Sequence, residues 1–262
     1  MSTKIHAHSR SDKNRNSFWI YGKHAVKAAI LNKERKILRL ILLESCKDFL
    51  EEYGSVHESL QAELVDKNYF AAKFGKDATH QGCAVLVKDL HFHLCLEDLL
   101  TDESDNRPFM FLDQITDPQN LGSILRASAV FGARAVVVPE HNSPEFSPAI
   151  WKAASGAAEY VPIIRVINFV HAINDLKKHG FWCVGLDEKS SKTMSEMDLE
   201  RKLIVVIGSE GTGMRRLTRE SCDFLVKLPG IGSFTTLNAA QAATISLYEI
   251  RRQCTSHCFA TG

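Results

Sequence analysis

Apolar positions along the chain follow two regimes, with the change near residue 108. From Trp19-Ile20-Tyr21-Gly22, amphipathic and alternating segments predominate. Val26, Ala29 and Ile30 fall on one face of a predicted helix. The run Leu38-Arg39-Leu40-Ile41-Leu42-Leu43 predicts a strand, and an acidic helix is expected near Lys47–Leu60. Ala62–Val65, Lys67–Phe74 and Cys83-Ala84-Val85-Leu86-Val87 then predict a strand, a helix and a last strand. Beyond residue 108 the strands become nearly unbroken apolar runs. These are Phe109–Leu112, Ala135–Val138, Phe181–Leu186, Leu203–Ile207 and Phe224–Leu228, separated by helical segments. Strands without a polar face belong in a sheet covered on both sides, so a largely parallel sheet is expected there.

Local signals sharpen two helices. Asp117-Pro118 offers an N-cap followed by proline at the first helical position, and Gly132 is placed to end that helix. Asn238 to Arg252 reads as the closing helix. Leu96–Pro108 is rich in Asp, Glu, Ser and Asn and reads as a linker. The expected organisation is a basic arm (1–17), a small α/β domain (18–90), a linker (91–107), a parallel α/β domain (108–254) and a tail (255–262).

The 262 residues are 45% hydrophobic, enough for two cores, and no apolar run reaches membrane-spanning length. No membrane partner is expected. Seven scattered cysteines, an odd number, argue for a reduced, cytoplasmic protein rather than a disulfide scaffold. Cys254-Thr255-Ser256-His257-Cys258 has no second ligand cluster to complete a tetrahedral site, so no metal is expected. Net charge is only +1, but its distribution is uneven. Through residue 40, ten Lys and Arg, Lys23 among them, face only Asp12 and Glu34. Such an arm favours a polyanionic partner.

Three polar bends interrupt the apolar pattern. Asp113 through Arg126 places Asn120 and Arg126 beyond the end of a parallel strand, at the sheet edge where open α/β folds bind ligands. Gly208-Ser209-Glu210-Gly211-Thr212-Gly213 follows the next buried strand. Its spacing is not that of a dinucleotide loop, it lacks the Lys of a phosphate loop, and Glu210 would repel a pyrophosphate. These features exclude a nucleotide-dependent oxidoreductase and favour a ligand with cationic or hydroxyl groups. Leu228-Pro229-Gly230-Ile231 through Thr235-Thr236-Leu237-Asn238 supplies hydroxyls, an amide and backbone groups suited to an adenine edge. Each bend also has a plain structural reading: a helix cap for Asp117, an intersubunit ion pair for Arg126, an ordinary loop for Asn238.

Together the bends resemble the three signatures of the SpoU (TrmH) class of SPOUT RNA ribose 2′-O-methyltransferases. Asp117-Pro118-Gln119-Asn120-Leu121-Gly122-Ser123-Ile124-Leu125-Arg126 fits the first signature. Gly208-Ser209-Glu210-Gly211 through Met214-Arg215-Arg216-Leu217 fits the second. Leu228-Pro229 through Leu237-Asn238, with Leu247-Tyr248-Glu249, fits the third. Lys152 to Pro162, containing Ser155-Gly156-Ala157, is similar to an intermediate block. Tyr21-Gly22-Lys23-His24 and His80-Gln81-Gly82-Cys83 resemble the family's substrate-binding domain, whose fold some ribosomal proteins share. The likeness covers residues 18–252, and Met214 to Asp223 is most similar to the branch acting on a guanosine ribose of large-subunit ribosomal RNA. The chain departs at Gly230, at Thr236, which keeps a hydroxyl, and at Ala239-Ala240-Gln241.

The resemblance implies a deep trefoil knot in the C-terminal domain, a homodimer through that domain, and S-adenosylmethionine as cofactor. Gly208, Ser209, Gly211, Leu228, Pro229, Ile231, Leu237 and Asn238 would hold the cofactor. Arg126, Asn120, Glu210, Thr236 and Asn238 would be catalytic, and Lys23, Arg215, Arg216 and Arg219 would contact RNA. A guanidinium, which carries donors and no acceptor, serves better as donor to a developing alkoxide than as a base. A transfer-RNA methyltransferase and a non-catalytic ribosome assembly factor are the alternatives.

Overall fold

The computed structural model describes residues 17–49, 60–90, 94–144, 147–231 and 236–256. The basic arm up to residue 16 and most of the expected acidic helix lie outside them. Four strands, β1 (Ser17–Tyr21), β2 (Ile37–Leu42), β3 (Ala62–Leu64) and β4 (Cys83–Lys88), form one sheet in the order β1-β4-β2-β3. Only β2 and β3 run parallel. One face packs on α1 (Lys23–Leu31), the other on α2 (Lys67–Phe74).

The second sheet is parallel throughout. Its strands are β5 (Phe109–Asp113), β6 (Ala135–Pro139), β7 (Ile163–Val166), β8 (Trp182–Leu186), β9 (Leu203–Gly208) and β10 (Phe224–Val226). They lie in the order β10-β8-β9-β5-β6-β7. Every residue of β5 and β6 is buried, as their unbroken apolar sequence requires. Met110, Leu112, Val136, Val205 and Ile207 point to one side, toward α3 (Pro118–Phe131), α4 (Pro148–Ala154) and α7 (Ala239–Ser256). Phe109, Phe111, Val137, Ile204 and Val206 alternate to the other side, against α5 (Phe169–Lys178), on which the short α6 (Arg216–Ser221) packs.

The predicted helix signals are realised. Asp117 Oδ1 accepts from the Gln119 N–H at 2.9 Å, Pro118 opens α3, and Gly132 closes it in the left-handed region. Strand β7 was not anticipated. The acidic segment before β5 is docked rather than extended away: Leu96, Leu99 and Leu100 pack against the second sheet. The buried Arg134 donates to the Asp105 and Asp102 carbonyls at 2.8 and 3.1 Å and lies over the Phe109 ring.

The two sheets share one continuous core. Phe18 stacks on Trp151 with ring centroids 4.7 Å apart. Beside them Arg35 forms a two-pronged pair with Glu159, Nε to Oε2 at 2.9 Å and Nη2 to Oε1 at 2.8 Å. Arg35 Nη1 donates to the Lys88 carbonyl at 2.8 Å, and Asn32 Nδ2 donates to Glu159 Oε2 at 2.9 Å. With side chains 1% and 3% exposed, both charges depend on this complete set of partners.

Candidate active site

The parallel register fixes where the bends meet. Asp113 at the end of β5 pairs with Gly208 at the end of β9, so the loops leaving both strands emerge side by side. Gly208 has no room for a side chain, because a Cβ there would lie 2.3 Å from backbone atoms of Gly213 and Met214. The loop closes on itself through Gly213 N–H to Ser209 O at 2.9 Å, with Gly211 and Gly213 at positive φ. Ser209 Oγ and Thr212 Oγ1 share a 2.6 Å hydrogen bond.

Glu210, presented by this loop, ties all three bends together. Its Oε1 accepts from Asn120 Nδ2 at 2.9 Å and from the Ala239 N–H at 3.3 Å, at the start of α7. Asn238 caps that helix, its Oδ1 accepting from the Gln241 N–H at 2.7 Å. A capping role therefore coexists with Asn238's position on the cavity wall.

A cavity of about 690 Å³ opens between these loops. Leu186, Ile207, Met214, Leu228 and Leu237 give it apolar walls, while Ser209, Glu210, Gly211, Thr236 and Asn238 contribute polar groups. The mouth of β8 adds Asp187, Glu188 and Lys189, and Arg219 and Lys227 complete the charged rim. Arg219 Nη1 pairs with Asp187 Oδ2 at 2.6 Å. Sequence reasoning singled out Arg219 for RNA and missed the rest of this group, although the strand ending at Leu186 was recognised and ligands gather at the carboxyl ends of parallel strands. Apolar walls beside carboxylates, cations and hydroxyls suit a ligand with one flat apolar part and one charged polar part.

Four expected site residues fall elsewhere. Ile231 is 99% exposed, and neither it nor Pro229 lines the cavity. Arg215, expected to contact RNA, is committed to the protein. Its N–H and Nε donate to the buried Asp113 carboxylate at 2.8 and 2.7 Å, and its guanidinium lies over Phe169. A carboxylate with no exposed surface needs such a partner. Arg126 does not enter the cavity either. It lines a separate hollow with His24, Ser155, Gly156 and Tyr160. Lys23 opens α1 beside a shallow groove shared with Lys27 and Asp48, and Arg216 is exposed and paired with Glu220 at 2.8 Å.

Residues 108–248 match the SpoU rRNA Methylase family model. The chain belongs to the SpoU rRNA Methylase family. It is 36% identical over 239 residues, 89% of its length and 94% of the relative's, to the 23S rRNA (guanosine-2′-O-)-methyltransferase RlmB of Neisseria meningitidis serogroup B. It is 35% identical over 241 residues to the putative TrmH family tRNA/rRNA methyltransferase YacO of Bacillus subtilis, covering 90% of this chain and 95% of that one. The SpoU methyltransferase AviRb of Streptomyces viridochromogenes, solved in complex with AdoMet, superposes with a TM-score of 0.79. The superposition covers 94% of this chain and 95% of AviRb at 21% identity, so that likeness speaks for the fold. The α/β architecture with a parallel sheet is thus that of SpoU proteins. No described helix is long and apolar enough to cross a membrane.

Proposed function

We propose that this chain transfers a methyl group from S-adenosylmethionine to the ribose 2′-hydroxyl of a guanosine in large-subunit ribosomal RNA, in the cytoplasm. The carrying observation is Glu210, which joins the Asn120 bend to the head of α7 beside a cavity of the right chemistry in a SpoU family member. Leu228 and Leu237 supply apolar wall for an adenine, while Gly208, Ser209 and Gly211 allow close backbone approach. Bound there, the cofactor supplies an activated methyl group. The protein's part is positioning, a contribution on the order of 7–11 kcal/mol for well-aligned reactants.

Asn120, Glu210, Thr236 and Asn238 orient the ribose. Arg126 donates to the developing alkoxide through its guanidinium N–H groups. In this subunit Arg126 faces a hollow distinct from the cofactor cavity. That separation supports a homodimer through the C-terminal domain, with Arg126 serving the partner's cavity. Residues 18–90 bind RNA, residues 108–254 carry out transfer, and residues 91–107 join them. Lys23, Arg216 and the basic arm meet phosphates. We also infer a deep trefoil knot: β9 lies between β5 and β8, two strands that precede it, before the chain returns to α7 beside α3.

The test is transfer of labelled methyl from S-adenosylmethionine to unmodified large-subunit rRNA, with the modified ribose mapped. Methylation at one guanosine 2′-oxygen is expected. Tight RNA binding without transfer would instead indicate an assembly factor, and preference for transfer RNA would redirect the substrate.

A further inference from the structure

The hollow beside Arg126 is separate from the cavity of the three bends in its own subunit, and it joins both halves of the molecule. It measures about 540 Å³, within the roughly 300–1,000 Å³ common for small-ligand sites. His24 comes from α1 of the first sheet's unit, Arg126 and Val130 from α3, and Ser155, Gly156 and Tyr160 from the segment after α4.

Tyr160 stands out on this wall. Its neighbours turn inward: Ala157 and Ala158 are buried, and the Glu159 carboxylate is locked to Arg35. Gly156 is pressed against α1 so closely that a Cβ would lie 2.4 Å from Ala28 Cβ. The Tyr160 N–H donates to the Ala157 carbonyl at 3.0 Å and Val161 returns to the core. The tyrosine alone remains out, 73% exposed. A large ring held over open space by a rigid, strained turn, with Ser155 at φ 51°, suits stacking against a flat ligand.

We propose that this hollow receives the base of the nucleotide being methylated, stacked on the Tyr160 ring. This rests on the functional reading above, which places the reacting ribose at Arg126. Proteins that read unpaired RNA take splayed bases onto aromatic side chains, and the sugar to be modified must travel with its base. His24 would contact the same nucleotide from the RNA-binding unit, so both halves meet on one residue of substrate.

The experiment uses the full-length enzyme and an RNA fragment containing the mapped target, prepared with guanine present or with an abasic ribose at that position. A stacked base contributes about 1–3 kcal/mol, corresponding to a loss of about 5- to 150-fold in kcat/KM for Tyr160→Ala. Tyr160→Phe should stay within about twofold of wild type, since it keeps the ring. On the abasic RNA, wild type and Tyr160→Ala should become equal, and cofactor affinity should match in all variants. An undiminished Tyr160→Ala enzyme, or an equal loss on both RNAs, overturns the proposal. A shift in oligomeric state with no dependence on the base overturns it too, by assigning Tyr160 to a subunit contact. Failure of the wild-type enzyme to methylate any rRNA would instead be failure of the functional reading.

Discussion

Asn120 and Glu210, 90 residues apart in sequence, meet through a 2.9 Å hydrogen bond from Nδ2 to Oε1. The same carboxylate oxygen accepts the Ala239 N–H, so one side chain sets the spacing of the three loops around the cavity. Removing either partner disturbs the same geometry. Asn120→Ala and Glu210→Ala should each lower kcat/KM at least tenfold. The double variant should be little worse than the poorer single, the signature of groups acting as a unit. Additive losses in a double-mutant cycle would separate the two roles. Glu210 is exposed and Asn120 half-buried, so melting temperatures should move little.

Arg126→Ala should reduce transfer by about 10²- to 10³-fold while cofactor affinity stays near wild type, the expected loss for one charge-stabilising donor. Mixing it with inactive Glu210→Ala protein tests the dimer. If Arg126 serves the partner's cavity, heterodimers hold one intact site. An equal mixture should then recover roughly a quarter of wild-type activity. No recovery after subunit exchange would place the arginine in its own subunit's site.

Gly208→Ala puts a methyl group against the Gly213 and Met214 backbone, which cannot swing aside as a side chain could. A stability loss of about 1–3 kcal/mol is expected, together with loss of most cofactor affinity. Gly230→Ala, on the exposed part of the third bend, should stay within about 0.5 kcal/mol. Thermal melts and calorimetric titration with S-adenosylhomocysteine distinguish them.

Much of the second sheet was legible because burial on both faces leaves strands no polar alternation. Strand β7 escaped notice because its four residues include Arg165, whose Nη1 and Nη2 donate to Ser143 Oγ and the Pro144 carbonyl. The glycine loops and Glu210 could be located, but their joining through one oxygen depends on contacts 29 and 90 residues long. Arg215 illustrates the same limit. Its sequence neighbours suggested phosphate contacts, while its actual partner, Asp113, lies 102 residues earlier. Asp187 and Arg219 became part of the cavity only once β8 was placed beside β9.

His80 stacks on Phe70 at 4.2 Å, and its Nδ1 accepts the Gly82 N–H at 3.0 Å. Burial pushes its pKa below the ordinary histidine value, and the protonated ring could not accept that bond. The neutral form therefore supports the fold at full strength above about pH 6.5. That support declines as pH falls through 6.5 toward the depressed folded value, because the unfolded chain takes up the proton first. Urea titrations at pH 7.5 and 5.5 should show a larger drop for wild type than for His80→Gln. Equal drops would remove His80 from the acid response.

The Arg35–Glu159 clasp has a consequence for target choice. It joins the unit of the first sheet to that of the second by charges that are costly to part, about 3–5 kcal/mol if one partner is lost. Under the proposed function, the span from grip to methyl is a fixed gauge length. A caliper of that kind selects a nucleotide by its distance and bearing from a folded RNA landmark, whatever letters lie between.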